Sequence, residues 1–107
     1  MKQITEDSNG TEIHLAIGET FEVRLEENRS TGFKWVIESP SEGKNEVCSL
    51  AGDSFEKGKA VGEPGTHRWE FRTDHAGFGT VTLSYQRPWE SGQSTTRTFK
   101  LNVRASE

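Results

Sequence analysis

The sequence predicts an all-β domain, a two-layer sandwich of about seven to eight short strands without a disulfide bond. Apolar and polar residues alternate with a period of two in several short runs, as in strands with one buried and one solvated face. The runs are separated by segments rich in Gly, Pro, Asn and Ser, which are the residues that form turns. Cys48 is the single cysteine, so an intrachain disulfide is excluded and packing must hold the layers together.

The alternating runs account for each predicted strand in turn. They lie at 13–17, 21–25, 35–37, 69–71, 81–85 and 99–103, and residues 51–57 are predicted to add a short strand between the third and fourth of them. Gly18 and Glu19 separate the first two runs so closely that we expect either a hairpin or a passage between sheets. The spacing fits an immunoglobulin-like sandwich best, with Trp35 as the large core aromatic on a central strand.

Length and composition limit the domain organisation and the partners. The 107 residues are the size of one domain, which we assign to residues 1–107 with a core at about 11–104. The first eleven residues and the last three are expected to be frayed. A net charge of −4 without a basic run argues against binding to nucleic acid. No stretch approaches the roughly 20 apolar residues of a spanning helix, so no membrane association is expected.

The N-terminus carries no apolar run of the kind found in signal peptides. The expected location is therefore cytoplasmic if the chain is complete, and periplasmic or secreted if a leader has been removed.

The first of three unusual loops, 28–33, contains residue types that a turn does not require. Its members are Asn28, Arg29, Ser30, Thr31, Gly32 and Phe33. Asn and Gly explain a turn by themselves, whereas the Ser-Thr pair and the following Phe are additional. The plain alternative is a hydroxyl-stabilised turn that leads into a core Phe.

The second loop, 62–67, is slim and stiff, so another molecule can approach its backbone closely. Its members are Gly62, Glu63, Pro64, Gly65, Thr66 and His67. No Lys-Ser/Thr pair and no helix follows it, which excludes a phosphate-binding loop. An ordinary connection remains the alternative.

The third loop, 87–90, begins with Arg87, Pro88 and Trp89. Exposing a Trp is costly unless it packs or binds, and Trp and Arg are enriched at binding hot spots. Alternatively, Trp89 folds back on the sandwich edge with Arg87 stacked on it. In a sandwich of this connectivity the three loops gather at one end, which predicts a composite binding edge.

These three loops resemble those of the chagasin-type inhibitors of papain-family cysteine proteases. The family's first-loop motif Asn-Pro-Thr-Thr-Gly-Phe/Tyr is matched at 28–33, with Arg29 in place of Pro and Ser30 in place of Thr. Its second motif, Gly-x-Gly-Gly, is matched by Gly62 and Gly65, with Pro64 in place of one Gly. Its third motif, Arg-Pro-Trp, is unchanged at 87–89. The resemblance covers about residues 11–104.

The resemblance implies a monomeric, reversible and competitive inhibitor of these proteases that needs no cofactor. The first loop is expected to enter the active-site cleft, with Thr31 and the backbone of 30–32 facing the catalytic centre. Residues 62–65 are expected to contact one wall of the cleft, and Arg87 with Trp89 the other wall.

Two alternatives to an inhibitor are an enzyme or metal site and a binding module. An enzyme or a metal site lacks support, because Cys48 shares strand parity with Leu50 and is predicted to be a buried, inert thiol. The three histidines show no ligand spacing. Glu26-Glu27 is interpreted as a solvated strand end, and so is His67. The second alternative is an immunoglobulin-like module that binds protein or carbohydrate, with Trp69 and Trp89 stacked on sugar rings.

Overall fold

Two four-stranded sheets pack face to face in the computed structural model, which describes residues 1–28, 32–39, 47–60, 63–86 and 97–107. The strands in these ranges are β1 Lys2–Ile4, β2 Glu12–Ala16, β3 Thr20–Glu27, β4 Lys34–Ser39, β5 Cys48–Glu56, β6 Gly65–Thr73, β7 Gly77–Gln86 and β8 Arg97–Ser106. A 3-10 turn, Glu6–Ser8, follows β1. The strand orders are β1-β3-β6-β5 and β2-β8-β7-β4. The predicted disulfide-free, all-β sandwich is confirmed.

The Gly18-Glu19 segment carries the chain from one sheet to the other and does not form a hairpin. β2 pairs in parallel with β8, whereas β3 pairs with β1 and β6 in the opposite sheet. Gly18 has a φ of 93°, a left-handed conformation that glycine adopts without steric cost. Of the two possibilities left open by the sequence, the passage between sheets is the one observed.

Both chain ends are paired, in contrast to the fraying expected from the sequence. β1 pairs with β3 in register Ile4↔Val23, and Ile4 is 2% exposed within the core. β8 continues to Ser106, which pairs with Ala16 of β2. Pairing with a neighbouring strand satisfies the backbone groups of both ends and holds them in the sandwich.

The core lies between the sheets and is built from the alternate, inward-facing residues of each strand. Its buried members are Ile4, Ile13, Leu15, Phe21, Val23, Leu25, Trp35, Val47, Cys48, Trp69, Phe71, Val81, Leu83, Tyr85, Phe99, Leu101, Val103 and Ala105. Cys48 is fully buried, which confirms the burial predicted for its thiol. Ile17 falls beyond the end of β2 and is 40% exposed, so the first alternating run ends at Leu15.

Two strand assignments from the sequence need correction. Trp35 is buried, but β4 is an edge strand, so its prediction on a central strand was wrong. The buried Trp on a central strand is Trp69 of β6. The strand expected at 51–57 begins earlier, at Cys48, and contains a bulge between Leu50 and Gly52. Residues 52–54 are exposed, so β5 lacks the alternation that identifies a strand from sequence.

Candidate functional site

The strand ends that flank the three predicted loops lie at one end of the sandwich. In the first sheet the end of β3 pairs with the start of β6, and the end of β5 lies beside the same point, as the register pairs Glu27↔Gly65 and Glu56↔Thr66 show. In the second sheet the start of β4 meets the end of β7, which also pairs with the start of β8. We call this the loop end of the sandwich; it is defined by residues 27–28, 32–35, 56, 63–67, 85–86 and 97.

Tyr85 of β7 connects the base of the third loop to both ends of the first loop. Its hydroxyl oxygen accepts a hydrogen bond from the backbone N–H of Asn28 at 2.9 Å. Its ring stacks on Phe33, with centroids 5.3 Å apart, and contacts the Trp35 ring at 5.0 Å. The Arg97 guanidinium, at the start of β8, lies 5.4 Å from the centroids of both the Tyr85 and Trp35 rings. Residues on both sides of the third loop are therefore packed against the base of the first.

Glu27 is the last residue of β3 and is fully buried. Its Oε1 atom accepts a hydrogen bond from the backbone N–H of Trp35 at 2.8 Å. The Nδ1 atom of His67 lies 3.2 Å from Oε1 and 3.3 Å from Oε2. His67 itself is only 8% exposed. A carboxylate removed from water in this way is stabilised by such partners, because burying it without them is very unfavourable.

The interpretation of Glu27 and His67 as solvated strand ends was therefore wrong, although Glu26 is exposed as expected. Strand parity contains the signal that identifies both residues. Glu27 continues the inward series of Val23 and Leu25, and His67 precedes the inward Trp69 by two residues. A charged or polar residue is usually expected to face solvent, whereas the two-residue period of each strand places both of these side chains in the core.

Three of the predicted binding residues of the first loop lie in the described part of the chain. Gly32 has a φ of 83°, which is consistent with the tight turn predicted for it. Phe33 is partly buried against the core, so it supports the base of the loop from within. Asn28 donates its backbone N–H to Tyr85, as described above. Arg29, Ser30 and Thr31 lie outside the described residues.

The second loop has a base that is closed on itself. The Glu63 carboxylate accepts a hydrogen bond from the backbone N–H of Ala60 at 2.8 Å, and the Glu63 N–H donates to the Ala60 carbonyl at 3.1 Å. Gly65 is buried at the start of β6, whereas Pro64 and Thr66 are half-buried and Glu63 is exposed. Gly62 lies outside the described residues, as do Arg87, Pro88 and Trp89 of the third loop.

Other chemistry finds no support among the described residues. No group of three or more His, Cys, Asp or Glu side chains in the described ranges is arranged to hold a metal ion. Within those ranges, no helix has the length and apolar character needed to cross a membrane. Trp69 is 2% exposed and stacks on His67 with centroids 3.9 Å apart. It is therefore inaccessible to a sugar ring, which removes one of the two aromatic platforms of the carbohydrate-binding alternative.

Comparisons with known proteins agree with this fold over nearly the whole chain. Residues 14–103 match the family described as chagasin family peptidase inhibitor I42. Amoebiasin-1 of Entamoeba histolytica is 35% identical over 94% of this chain and 95% of its own length. Chagasin of Trypanosoma cruzi is 29% identical over 97% of each chain.

A solved structure shows the same architecture. The crystal structure of the cysteine protease inhibitor EhICP2 from Entamoeba histolytica superposes with a TM-score of 0.83 at 26% identity, covering 98% of this chain and 94% of that one. The match to an inhibitor family confirms the expected class of protein, an inhibitor and not an enzyme. The chain belongs to the chagasin family of peptidase inhibitors.

Proposed function

We propose that this protein is a reversible, competitive inhibitor of papain-family cysteine proteases that acts as a monomer through loops 28–33, 62–67 and 87–90. The observation that carries the proposal is the convergence of all six flanking strand ends at the loop end. Membership of an inhibitor family supports it, as does the structural likeness to a protein described as a cysteine protease inhibitor.

The first loop enters the active-site cleft between the other two. Thr31 and the backbone of 30–32 face the catalytic cysteine, residues 62–65 contact one wall, and Arg87 with Trp89 contact the other. Loops held at both ends by a rigid sandwich lose little conformational freedom on binding, which favours affinity. A backbone that passes the nucleophile without presenting a carbonyl in the geometry of attack resists cleavage.

Two substitutions relative to the family motifs tune this binding edge. Arg29 stands where the family has Pro, so the first loop has a less restricted backbone and gains a positive charge. Pro64 stands in place of Gly in the second loop and fixes φ there. The variants Arg29→Pro and Pro64→Gly restore the family motif and therefore shift the preference among cysteine proteases without abolishing inhibition.

The direct test is titration of papain and a cathepsin L-like protease with the purified protein, with hydrolysis of a fluorogenic peptide as the readout. Competitive inhibition raises the apparent KM and leaves the maximal rate unchanged. Trp89→Ala is expected to weaken inhibition about 30-fold, the equivalent of roughly 2 kcal/mol for a buried aromatic anchor.

Phe78→Ala is the matched control. Phe78 is an exposed aromatic, 49% exposed, near the start of β7 and therefore at the opposite end of the strand from the loop end. Its truncation is expected to leave inhibition unchanged. Absence of inhibition by the folded wild-type protein, or equal losses in the two variants, contradicts the proposed binding edge.

A further inference from the structure

We propose that Glu27 is a positioning residue whose buried carboxylate holds the base of the first loop in a fixed relation to the base of the second. The inference rests on the proposed function of these loops, and it adds two residues, Glu27 and His67, that the sequence motifs do not contain. Neither side chain needs to touch the protease, because both act through the backbone that carries the loops.

The carboxylate of Glu27 closes the first loop across the two sheets. Glu27 ends β3 in one sheet, and Trp35 lies near the start of β4 in the other. The hydrogen bond from the Trp35 N–H to Oε1, at 2.8 Å, therefore ties together the two strands between which the loop runs. A second bond, from Trp35 Nε1 to the Glu26 carbonyl at 2.9 Å, fixes the same pair of strands.

His67 extends this connection to the second loop. It is the third residue of β6, which begins at Gly65 and therefore includes the last three residues of the loop predicted at 62–67. Its ring stacks on Trp69 with centroids 3.9 Å apart and meets the Phe55 ring edge-on at 6.2 Å. Its Nε2 atom lies 3.5 Å from Asp53 Oδ1 on β5. The imidazole is thus held by packing from β5 and β6, and it offers Glu27 a partner with a fixed position.

The burial of Glu27 makes this arrangement cooperative. A carboxylate with no exposed surface is tolerated only while its hydrogen-bond donors stay in place. The Trp35 amide belongs to the base of the first loop and the His67 ring to the base of the second, so displacing either base leaves the carboxylate less well satisfied. The pair thereby preorganises both loops, and preorganisation reduces the loss of freedom on binding.

The test compares variants that keep or remove the hydrogen bonds with side chains of similar shape. Glu27→Gln retains an oxygen acceptor for the Trp35 amide, whereas Glu27→Met does not. His67→Phe keeps the stacking on Trp69 and loses the ring nitrogens. Val103→Ala is the control for stability alone, because Val103 is a core residue that pairs with Ile13 and Gly79, away from the loop end.

The inhibition constant is measured for each variant under conditions in which urea titration shows it to be folded. Glu27→Met and His67→Phe are expected to weaken inhibition about tenfold, and the double variant no more than either single one. Glu27→Gln is expected to stay within about threefold of wild type, and Val103→Ala to inhibit normally. The proposal is overturned if Glu27→Met inhibits as strongly as wild type, or if Val103→Ala loses as much inhibition as Glu27→Met does.

Amide hydrogen exchange followed by NMR supplies a readout that does not depend on a protease. Glu27→Met is expected to accelerate exchange at Trp35, Gly32 and Phe33 selectively, whereas Val103→Ala accelerates it across the core. If wild-type protein inhibits no cysteine protease and this selective acceleration is still seen, the proposed function fails and the positioning role stands. Unchanged exchange at these amides in Glu27→Met overturns the positioning role.

Discussion

The hydroxyl oxygen of Tyr85 lies 2.9 Å from the backbone nitrogen of Asn28, and this hydrogen bond joins the two sheets at the loop end. Tyr85 is the penultimate residue of β7, while Asn28 directly follows β3. The ring that carries the hydroxyl is 9% exposed and packs against Phe33 and Trp35. A side chain next to the third loop therefore determines where the first loop leaves the sandwich.

Tyr85→Phe tests this connection by removing the hydroxyl and keeping the ring. We expect a loss of about 1 kcal/mol in the free energy of unfolding, the usual contribution of one intramolecular hydrogen bond. Inhibition is expected to weaken a few-fold as well, about three- to tenfold if the same energy is lost from loop positioning. Urea unfolding and the inhibition constant measure the two effects. Neutral values in both measurements mean that ring packing alone positions Asn28.

Gly65→Ala tests the close approach of β5 to the start of β6. A Cβ atom at Gly65 would lie within 3.0 Å of both the Glu56 carbonyl oxygen and the Phe55 ring. Because one of these atoms belongs to the backbone, the strands must separate locally, and we expect destabilisation of about 1–3 kcal/mol.

Gly52→Ala is the matched control for Gly65→Ala. Gly52 lies on the same strand pair, and a Cβ atom there would meet nothing within 4 Å. Urea unfolding is expected to show little change for Gly52→Ala. Equal effects of the two substitutions mean that the close approach at Gly65 does not determine its cost.

Hydrophobic periodicity predicted most of the sandwich, because the buried residues of β3 and β8 alternate without interruption. In β7 the apolar residues Val81, Leu83 and Tyr85 keep the same period, although Ser84 between them is buried as well. It did not predict β1, in which Ile4 is the only buried residue, since three residues are too few to show a period. It also did not place Trp35 on an edge strand. The position of a strand within its sheet depends on pairing between distant segments, and alternation along one strand does not contain that information.

The candidate site, too, could be predicted only in part from the sequence. The motifs of the three loops were recognisable from the residues alone, and the convergence of their flanking strands followed from the connectivity of a sandwich. Glu27 and His67 were missed because a charged residue near a strand end is usually solvated. Each is stabilised in the core in part by the other, and two residues 40 positions apart are brought together only by the fold.

The carboxyl group of Asp74, which lies at the end of the sandwich opposite the loops, is expected to make the stability of the protein depend on pH. Hydrogen bonds from Ser49 and Arg72 hold the pKa of its carboxyl below the ordinary value of 3.8. A lowered pKa in the folded state stabilises the protein above the unfolded pKa, and this contribution is lost as the pH falls through the folded value. Asp74→Asn is therefore expected to lower the free energy of unfolding at neutral pH.

Urea unfolding of wild type and Asp74→Asn between about pH 7 and pH 3 measures this contribution. The difference between the two proteins is expected to be constant near neutrality and to shrink below about pH 4. There the Asp74 carboxyl of the unfolded chain begins to take up a proton, while that of the folded protein, with its lower pKa, is still ionised. Inhibition is expected to be unaffected, since Asp74 follows β6 at its far end. A difference that does not vary with pH argues against a role for the ionised carboxylate.

Comparison of Gly32→Ala with Gly18→Ala separates the effect of backbone strain on stability from its effect on inhibition. Gly32 has a φ of 83° within the first loop, and Gly18 has a φ of 93° between β2 and β3, at the opposite end. An L side chain in this conformation costs roughly 1–2 kcal/mol, so both Gly32→Ala and Gly18→Ala are expected to lower the free energy of unfolding by that amount.

The two glycine variants are expected to differ in inhibition. Relief of the strain at residue 32 changes the backbone of the loop that is proposed to enter the cleft, so Gly32→Ala should weaken inhibition about tenfold or more. Gly18→Ala should inhibit as wild type does once folding is complete, since a Cβ atom there meets nothing within 4 Å. If the two variants are equally destabilised and inhibit equally, strain in the first loop affects the protease no more than strain at the far end of the sandwich. The binding edge must then lie elsewhere.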